Sequence, residues 1–143
     1  MLSSTALVQS SWQQVLPIRA LAAELFYAKL FELDPSLKSL FKGDMKEQGN
    51  RLMTMIGVAV VNLDRPEILM PALRGLGARH GGYGVKDRHY DTVASALLDT
   101  LQRGLGDAFT PEVKAAWTEV YRIVADAMKS AAGNVAEDPT LSD

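Results

Sequence analysis

The 143-residue sequence predicts an all-α protein, because apolar residues recur with the helical period in its long segments and no segment alternates with a period of two. Polar caps followed by proline or an acidic residue mark helix starts at Asp34, Asp64, Asp87 and Thr110. Together these signals predict seven or eight helices, with the clearest ones at about residues 4–16, 18–33, 35–41, 46–63, 67–80, 87–105 and 111–131.

In chain order, each predicted helix has its own boundary signals and apolar face. The first ends before Pro17, and the short third ends before Gly43. The apolar faces of the others are Ala20, Ala23, Tyr27, Leu30 and Phe31; Gln48, Leu52, Ile56, Ala59 and Leu63; Leu69, Leu73, Leu76 and His80; Tyr90, Val93, Leu97, Leu101 and Leu105; and Val113, Trp117, Val120 and Val124. Gly81 and Gly82 end the helix at 67–80, and a glycine-rich turn begins at Gly104.

Composition favours one soluble domain. With 48% hydrophobic residues, a chain of this length can bury a core without disulfides, and we expect a domain at 1–132 and a polar tail at 133–143. The absence of cysteine excludes disulfides, thiolate metal sites and a cysteine nucleophile. Because the N-terminus lacks a secretory pattern and no apolar stretch reaches spanning length, we expect a cytoplasmic protein that does not enter a membrane.

Charge gives no sign of a nucleic-acid partner. The formal net charge is −2, and the basic residues are scattered along the chain. A protein that binds a phosphate backbone usually gathers its lysines and arginines into one stripe. We therefore expect no nucleic-acid binding.

His80 ends an apolar stripe and points inward, and two interpretations of it are open. It could be a hydrogen-bonded core histidine, or it could ligate a haem iron, which takes a neutral imidazole in a dry pocket. Tyr27 and Gln48 are two hydrogen-bond donors on the apolar faces of other helices. Spacing alone does not decide between the two interpretations, because inward Tyr and Gln are commonly satisfied core groups.

Four segments resemble the globin family, in particular bacterial single-domain globins and the globin domain of flavohaemoglobins. Residues 25–41 resemble the B helix, C helix and CD corner, and residues 76–85 resemble the proximal F helix and FG corner. Residues 87–90 resemble the start of the G helix, and residues 115–121 resemble the H helix. The resemblance covers about residues 5–130 and implies a globin fold around one haem b.

The resemblance implies roles for individual residues. His80 matches the proximal iron ligand, and Tyr27 and Gln48 match the distal residues that stabilise a bound ligand. The implied haem contacts are Phe41, Leu52, Leu76, Val85, Tyr90, Val93 and Leu97. Arg51 could pair with a haem propionate or be an ordinary surface charge. Ala23 and Gly49 match small residues at the crossing of the B and E helices.

The sequence departs from the family at two positions. Gln48 replaces the commoner distal histidine and is a poor iron ligand, which argues against a bis-histidine state. His89 lies on the wrong helix to be a distal ligand, and we expect it to be partly solvated. In flavohaemoglobins a glutamate on the last helix supports the proximal histidine together with the tyrosine matched by Tyr90. In this sequence the position that matches the glutamate falls near Asn134.

Three functions follow from the resemblance. The first is reversible binding of O2, or of NO, CO or sulfide, as in oxygen transport or scavenging by a bacterial haemoglobin. The second is nitric oxide dioxygenase activity, which needs a separate reductase because 143 residues leave no room for a flavin domain. The third is gas sensing, which is disfavoured because no output domain follows residue 131.

Overall fold

The computed structural model describes residues 3–41, 43–82 and 87–137, with the backbone alone at residues 40, 79–82, 87 and 132–137. In this part of the chain all regular structure is helical. The six α-helices are α1 (Ser4–Val15), α2 (Arg19–Leu33), α3 (Met45–Val61), α4 (Pro66–Gly82), α5 (Asp87–Leu105) and α6 (Pro111–Glu137). Short 3-10 helices span Leu16–Ile18, Pro35–Leu40 and Gly106–Ala108. The all-α prediction is therefore confirmed.

Helices begin at polar side chains that accept hydrogen bonds from the first turn. The Asp44 carboxylate accepts a bond from the Lys46 N–H at the start of α3, and the Thr110 hydroxyl accepts one from the Val113 N–H at the start of α6. These bonds satisfy N–H groups that have no partner inside the helix. The Asp34 and Thr110 start signals are confirmed.

The segment predicted as a short helix at 35–41 forms a 3-10 helix. Asp34 accepts a bond from the Ser36 N–H, and the Leu37 and Phe41 N–H groups donate to carbonyls three residues earlier. Pro35 occupies the first turn, where a missing N–H costs nothing. Phe41 follows this 3-10 helix, four residues before α3 begins at Met45.

Two helices run beyond their predicted ends. α4 continues through the Gly81-Gly82 pair, and α6 continues to Glu137, six residues past the predicted end. Pro71 lies inside α4, where it removes one backbone hydrogen-bond donor. The boundary between a domain at 1–132 and a tail at 133–143 stays a prediction.

One of the buried clusters of the core lies where α1 meets α6. Trp12 and Trp117 are both buried, with their ring centroids 6.2 Å apart. The Trp117 indole N–H donates a 2.8 Å bond to the Ser11 hydroxyl, which in turn donates to the Leu7 carbonyl. This bond satisfies the polar edge of a buried ring and fixes α6 against α1.

α4 packs most extensively on α6, and α2 packs on α5. Leu69 and Leu73 of α4 lie in one buried cluster with Ala125 and Met128 of α6. Among the helices that the structure describes, none is long and apolar enough to cross a bilayer.

Candidate functional site

Tyr27 is the centre of an aromatic cluster on α2. Its side chain is 8% exposed, and its ring lies 5.3 Å from Phe26, 5.9 Å from Phe31 and 5.3 Å from Phe41, centroid to centroid. Phe31 and Phe41 also contact each other edge to face at 5.5 Å. Edge-to-face contacts of this kind stabilise a cluster beyond the area that it buries.

The Tyr27 hydroxyl lies at the start of α3, beside Gln48. It donates a 3.4 Å hydrogen bond to the Gln48 backbone carbonyl, and Gln48 itself is half-buried. Burial raises the pKa of Tyr27 to about 12, because the phenolate would lose its hydration. The hydroxyl is therefore a neutral donor at physiological pH. The two predicted distal donors lie together.

Tyr27 and Gln48 approach because α2 and α3 cross closely one residue farther on. A Cβ atom at Gly49 would lie 3.0 Å from the Cβ of Ala23 and 3.9 Å from the Tyr27 ring. A larger side chain at either position would push the helices apart. The predicted role of Ala23 and Gly49 as small crossing residues is confirmed, and it explains a buried glycine in the first half of α3.

Apolar side chains from three further segments pack around Tyr27. The half-buried members of this Tyr27 cluster are Phe31, Phe41, Met45, Leu52, Val93 and Leu97. The structure thus brings together five residues that sequence analysis assigned to the site, namely Tyr27, Phe41, Leu52, Val93 and Leu97. Their aromatic and aliphatic chemistry suits a flat apolar ligand with a few polar groups at one side.

The predicted proximal residues lie on α4 and α5. The backbone of His80 is in the last turn of α4, but its side chain lies outside the described residues, and so does all of Val85. Leu76, one turn earlier on α4, packs against a second cluster that contains the buried Tyr90. The structure therefore places Leu76 and Tyr90 together, on a cluster separate from that of Tyr27.

Tyr90 is held by α6 on two sides. The Tyr121 hydroxyl donates a 2.7 Å bond to the Tyr90 carbonyl, and the Lys129 ammonium lies 5.5 Å from the centroid of the Tyr90 ring. Burial, with added effects of Tyr90 and Asp91, raises the pKa of Tyr121 well above its usual range. Tyr121 is thus a fixed neutral donor that ties the start of α5 to α6.

Arg51 lies on the outer face of α3. Its guanidinium is 72% exposed and forms a 2.8 Å ion pair with Glu47, one turn earlier. An exposed pair of this type contributes little to stability, so Arg51 can leave it at low cost. The structure shows the surface-charge alternative, and the pairing with a propionate stays a prediction.

The prediction that His89 is partly solvated is wrong. His89 is 6% exposed in the first turn of α5. A hydrogen bond from the Ser36 hydroxyl lowers the pKa of Asp34, and the charges of His89 and Arg88 lower it further. His89 lies within electrostatic reach of Asp34 at the end of α2, and sequence spacing around residue 89 cannot reveal a neighbour 55 positions earlier.

Two half-buried members of the Tyr27 cluster, Phe31 and Met45, were not assigned to the site from the sequence. Phe31 follows Tyr27 by four residues on the same helix face, and this signal was available. Met45 packs against the same cluster from the first position of α3. Met45 precedes Gln48 by three residues and so continues the same helix face, but the predicted helix began at residue 46, one position after Met45.

Comparison with known proteins identifies the class. The globin family model matches residues 24–128, more than two thirds of the sequence. The chain belongs to the globin family, and the resemblance inferred from the four sequence segments is confirmed. Membership of this family implies that the chain binds haem.

Individual relatives define the chain's place in the family. A flavohemoprotein of Xylella fastidiosa is 35% identical over 109 residues, which are 74% of this chain and 27% of that protein. A neuroglobin of Dissostichus mawsoni is 31% identical over 146 residues and covers 92% of both chains. The chain thus spans about a quarter of the length of the Xylella relative.

A solved structure shares the whole fold. The engineered carbene transferase RmaNOD, whose parent has been assigned as a nitric oxide dioxygenase of Rhodothermus marinus, superposes with a TM-score of 0.84 at 26% identity. The match covers 98% of this chain and 96% of that one. The helices of this chain therefore have the arrangement of a bacterial globin.

The described residues fit a haem. A porphyrin is a flat apolar ring, and the half-buried Phe41, Leu52, Val93 and Leu97 offer apolar surface from three segments on one side of the fold. Leu76 offers the same kind of surface on α4, the helix that carries His80. Tyr27 and Gln48 add polar groups at one place only.

Proposed function

We propose that this chain holds haem b through His80 and reversibly binds O2, or another small ligand such as NO, CO or sulfide, beside Tyr27 and Gln48. The observation that carries the proposal is the Tyr27 hydroxyl, buried within an apolar cluster and held next to Gln48 by the crossing of α2 and α3. A neutral donor in an apolar surrounding is what a partly negative bound ligand requires.

Haem supplies an iron that binds diatomic ligands and shifts electron density onto them when it is ferrous. The chain supplies the rest. His80 is one of only two histidines, and His89 is buried in the first turn of α5 within the electrostatic reach of Asp34. His80 follows the buried stripe of α4, so it is the residue we assign to the iron.

The apolar residues exclude water and hold the macrocycle. Phe41, Leu52, Val93 and Leu97 form the walls on the side of Tyr27, and Leu76, Val85 and Tyr90 complete the proposed contacts on the side of His80. Arg51 would leave Glu47 to pair with a propionate, exchanging one exposed ion pair for another.

Nitric oxide dioxygenase activity is the second candidate. Flavohemoproteins are among the relatives, and the parent of the structural neighbour has been assigned that activity. This function requires electrons from a reductase, which we propose to be a separate protein. A cytoplasmic location remains a prediction.

An optical spectrum tests the first proposal. We expect the expressed chain to show a Soret band that shifts when dithionite and then CO are added. A colourless chain that takes up no added haem would contradict it. His80→Ala should lose haem unless imidazole is supplied, whereas the matched variant His89→Gln should retain haem wherever it remains folded. The reverse result would assign the iron to His89.

A further inference from the structure

Gly77 of α4 lies in close contact with the backbone of α6. A Cβ atom built there would overlap the Met128 carbonyl oxygen of α6 and would lie 2.6 Å from the Met128 Cα and 2.8 Å from its carbonyl carbon. All three neighbours are backbone atoms. No side-chain rotation can make room, so any residue larger than glycine would separate α4 from α6.

This contact defines where α4 sits. α4 packs most extensively on α6, through Leu69, Leu73 and the buried Met128. α6 in turn is fixed elsewhere, by the Trp117 bond to Ser11 on α1 and by the Tyr121 bond to Tyr90 on α5. When the two helices are forced apart, α4 is therefore the one that moves.

The displacement would reach His80. His80 follows Gly77 by three residues, which is about 4.5 Å along the axis of one α-helix. Restoring an ordinary van der Waals distance at the contact requires a shift of about 1 Å or more. Because a helix moves as a stiff unit over one turn, the backbone at His80 would shift by a similar distance.

We propose that Gly77 is a positioning residue for haem binding: its contact with the Met128 backbone sets the distance of α4 from α6 and so fixes the backbone position of His80, the residue proposed to ligate the iron. This inference rests on the proposed role of His80. A glycine inside a helix lowers stability relative to alanine, so helix formation alone would favour alanine at position 77. The proposed positioning role gives a reason for the glycine.

The direct test is Gly77→Ala, with Gly57→Ala as the matched control. At Gly57 a Cβ atom would lie 3.5 Å from the Trp12 indole nitrogen, which is ordinary contact. Both variants make the same chemical change inside a helix. We expect Gly77→Ala to lower and broaden the iron–histidine stretching band of the ferrous protein in resonance Raman spectra. We also expect haem transfer to an excess of apomyoglobin to be faster by on the order of tenfold to a hundredfold. Gly57→Ala should change neither.

A second pair of variants separates positioning from general destabilisation. In His80→Gly supplied with imidazole, the iron ligand is no longer attached to α4. Adding Gly77→Ala to this background should leave the iron–imidazole band unchanged. A shift of that band in the detached background would overturn the positioning role, because it would show that the whole pocket had changed.

The two hypotheses fail in different ways. A wild-type chain without an iron–histidine band contradicts the assignment of His80. A wild-type chain with that band, and a Gly77→Ala variant with an identical one, contradicts only the role of Gly77. If Gly77→Ala folds too weakly to study, Leu73→Ala loosens the same helix pair without a clash. A broadened band is then expected, and an unchanged one counts against the proposal.

Discussion

Tyr27 has one hydroxyl proton and two possible acceptors for it. In the structure the proton goes to the Gln48 backbone carbonyl over 3.4 Å, which is long for a hydroxyl hydrogen bond. A long bond is weak, so its loss costs little when a more negative acceptor comes within reach. We infer that Tyr27 exchanges the Gln48 carbonyl for a bound ligand.

Tyr27→Phe should raise the O2 dissociation rate by on the order of tenfold or more, because a hydrogen bond to a charged acceptor contributes about 1.5 kcal/mol or more. The CO dissociation rate should change less, because bound CO carries less negative charge. Stopped-flow ligand displacement measures both rates. Gln48→Leu should act in the same direction, and equal changes for O2 and CO would indicate steric control.

Tyr27 should also limit stability at alkaline pH. Its pKa is about 12 in the folded chain and 10 when unfolded. The unfolded chain therefore loses this proton first. Below pH 10 the contribution of the Tyr27 hydroxyl to the free energy of unfolding is fully present. Between pH 10 and 12 the free energy of unfolding should fall by on the order of 2 kcal/mol. Urea titrations of apoprotein should show a smaller fall for Tyr27→Phe. The raised pKa of Tyr121 should leave part of the fall in place.

Whether the surroundings of a single residue could be predicted depended on how far along the sequence its contacts lie. Tyr27, Gln48 and Phe41 were assigned from the sequence, with the family resemblance deciding, and the structure places Tyr27 in contact with the other two. The burial of His89 was missed because its tertiary surroundings, which include Asp34 more than fifty residues away, leave no local sequence signal. Local spacing predicts which face a residue occupies, but not what covers that face.

At the scale of helices, two crossings shape the site, and both use glycine. Gly49 allows α2 and α3 to pack closely, and Gly77 allows α4 and α6 to do so. The first was predicted because the family resemblance supplied its partner. The second was not, because sequence periodicity marks α4 as a helix without showing that the backbone of Met128 lies against it.

Gly49→Leu should destabilise the fold by about 1–3 kcal/mol or more, since a leucine cannot fit beside Ala23 without moving a helix. Asn50→Leu is the control, because position 50 is exposed on the same turn of α3. Chemical denaturation of the two apoproteins compares them. Equal stabilities would mean that α2 and α3 do not cross as closely as described.

α6 should give His80 the character of a neutral imidazole. The helix is unbroken from Pro111 to Glu137, so the position that matches the glutamate of flavohaemoglobins falls near Asn134. The Lys129 ammonium lies against the Tyr90 ring and is a cation. Because an asparagine cannot accept the imidazole proton as a carboxylate does, we expect a weak electron push to the iron.

We therefore expect an iron–histidine stretching frequency in the low range and slow peroxidase turnover. Resonance Raman spectra of the ferrous protein measure the first, and steady-state peroxide assays the second. A high frequency that Glu137→Gln abolishes would show that Glu137 supplies the carboxylate after all.

At the scale of the whole molecule, the chain matches two kinds of relative. It corresponds to nearly all of a neuroglobin, but to only about a quarter of a flavohemoprotein. The globin fold and its family were predictable, because several short segments in the right order carry the resemblance. The physiological ligand was not, because it depends on reaction partners that no residue of this domain encodes.

The purified chain should consume NO for a single turnover only. Once reduced and exposed to O2, it should react with NO and stop, because we assign re-reduction of the iron to a separate reductase. An NO electrode records the extent of reaction. Addition of a ferredoxin reductase with NADPH should restore continuous consumption. Sustained turnover with NADPH alone would contradict the need for a separate reductase.

The paired tryptophans give the molecule an intrinsic fluorescence signal for haem binding. Trp12 and Trp117 are the chain's only indoles, and both are buried in one small domain. A domain of this length has a radius of gyration of about 14 Å. Any bound haem therefore lies close enough to quench the fluorescence of both tryptophans, and their emission should be weak in the haem-loaded protein. Brightening would then report haem departure in real time, without a label and without disturbing the pocket.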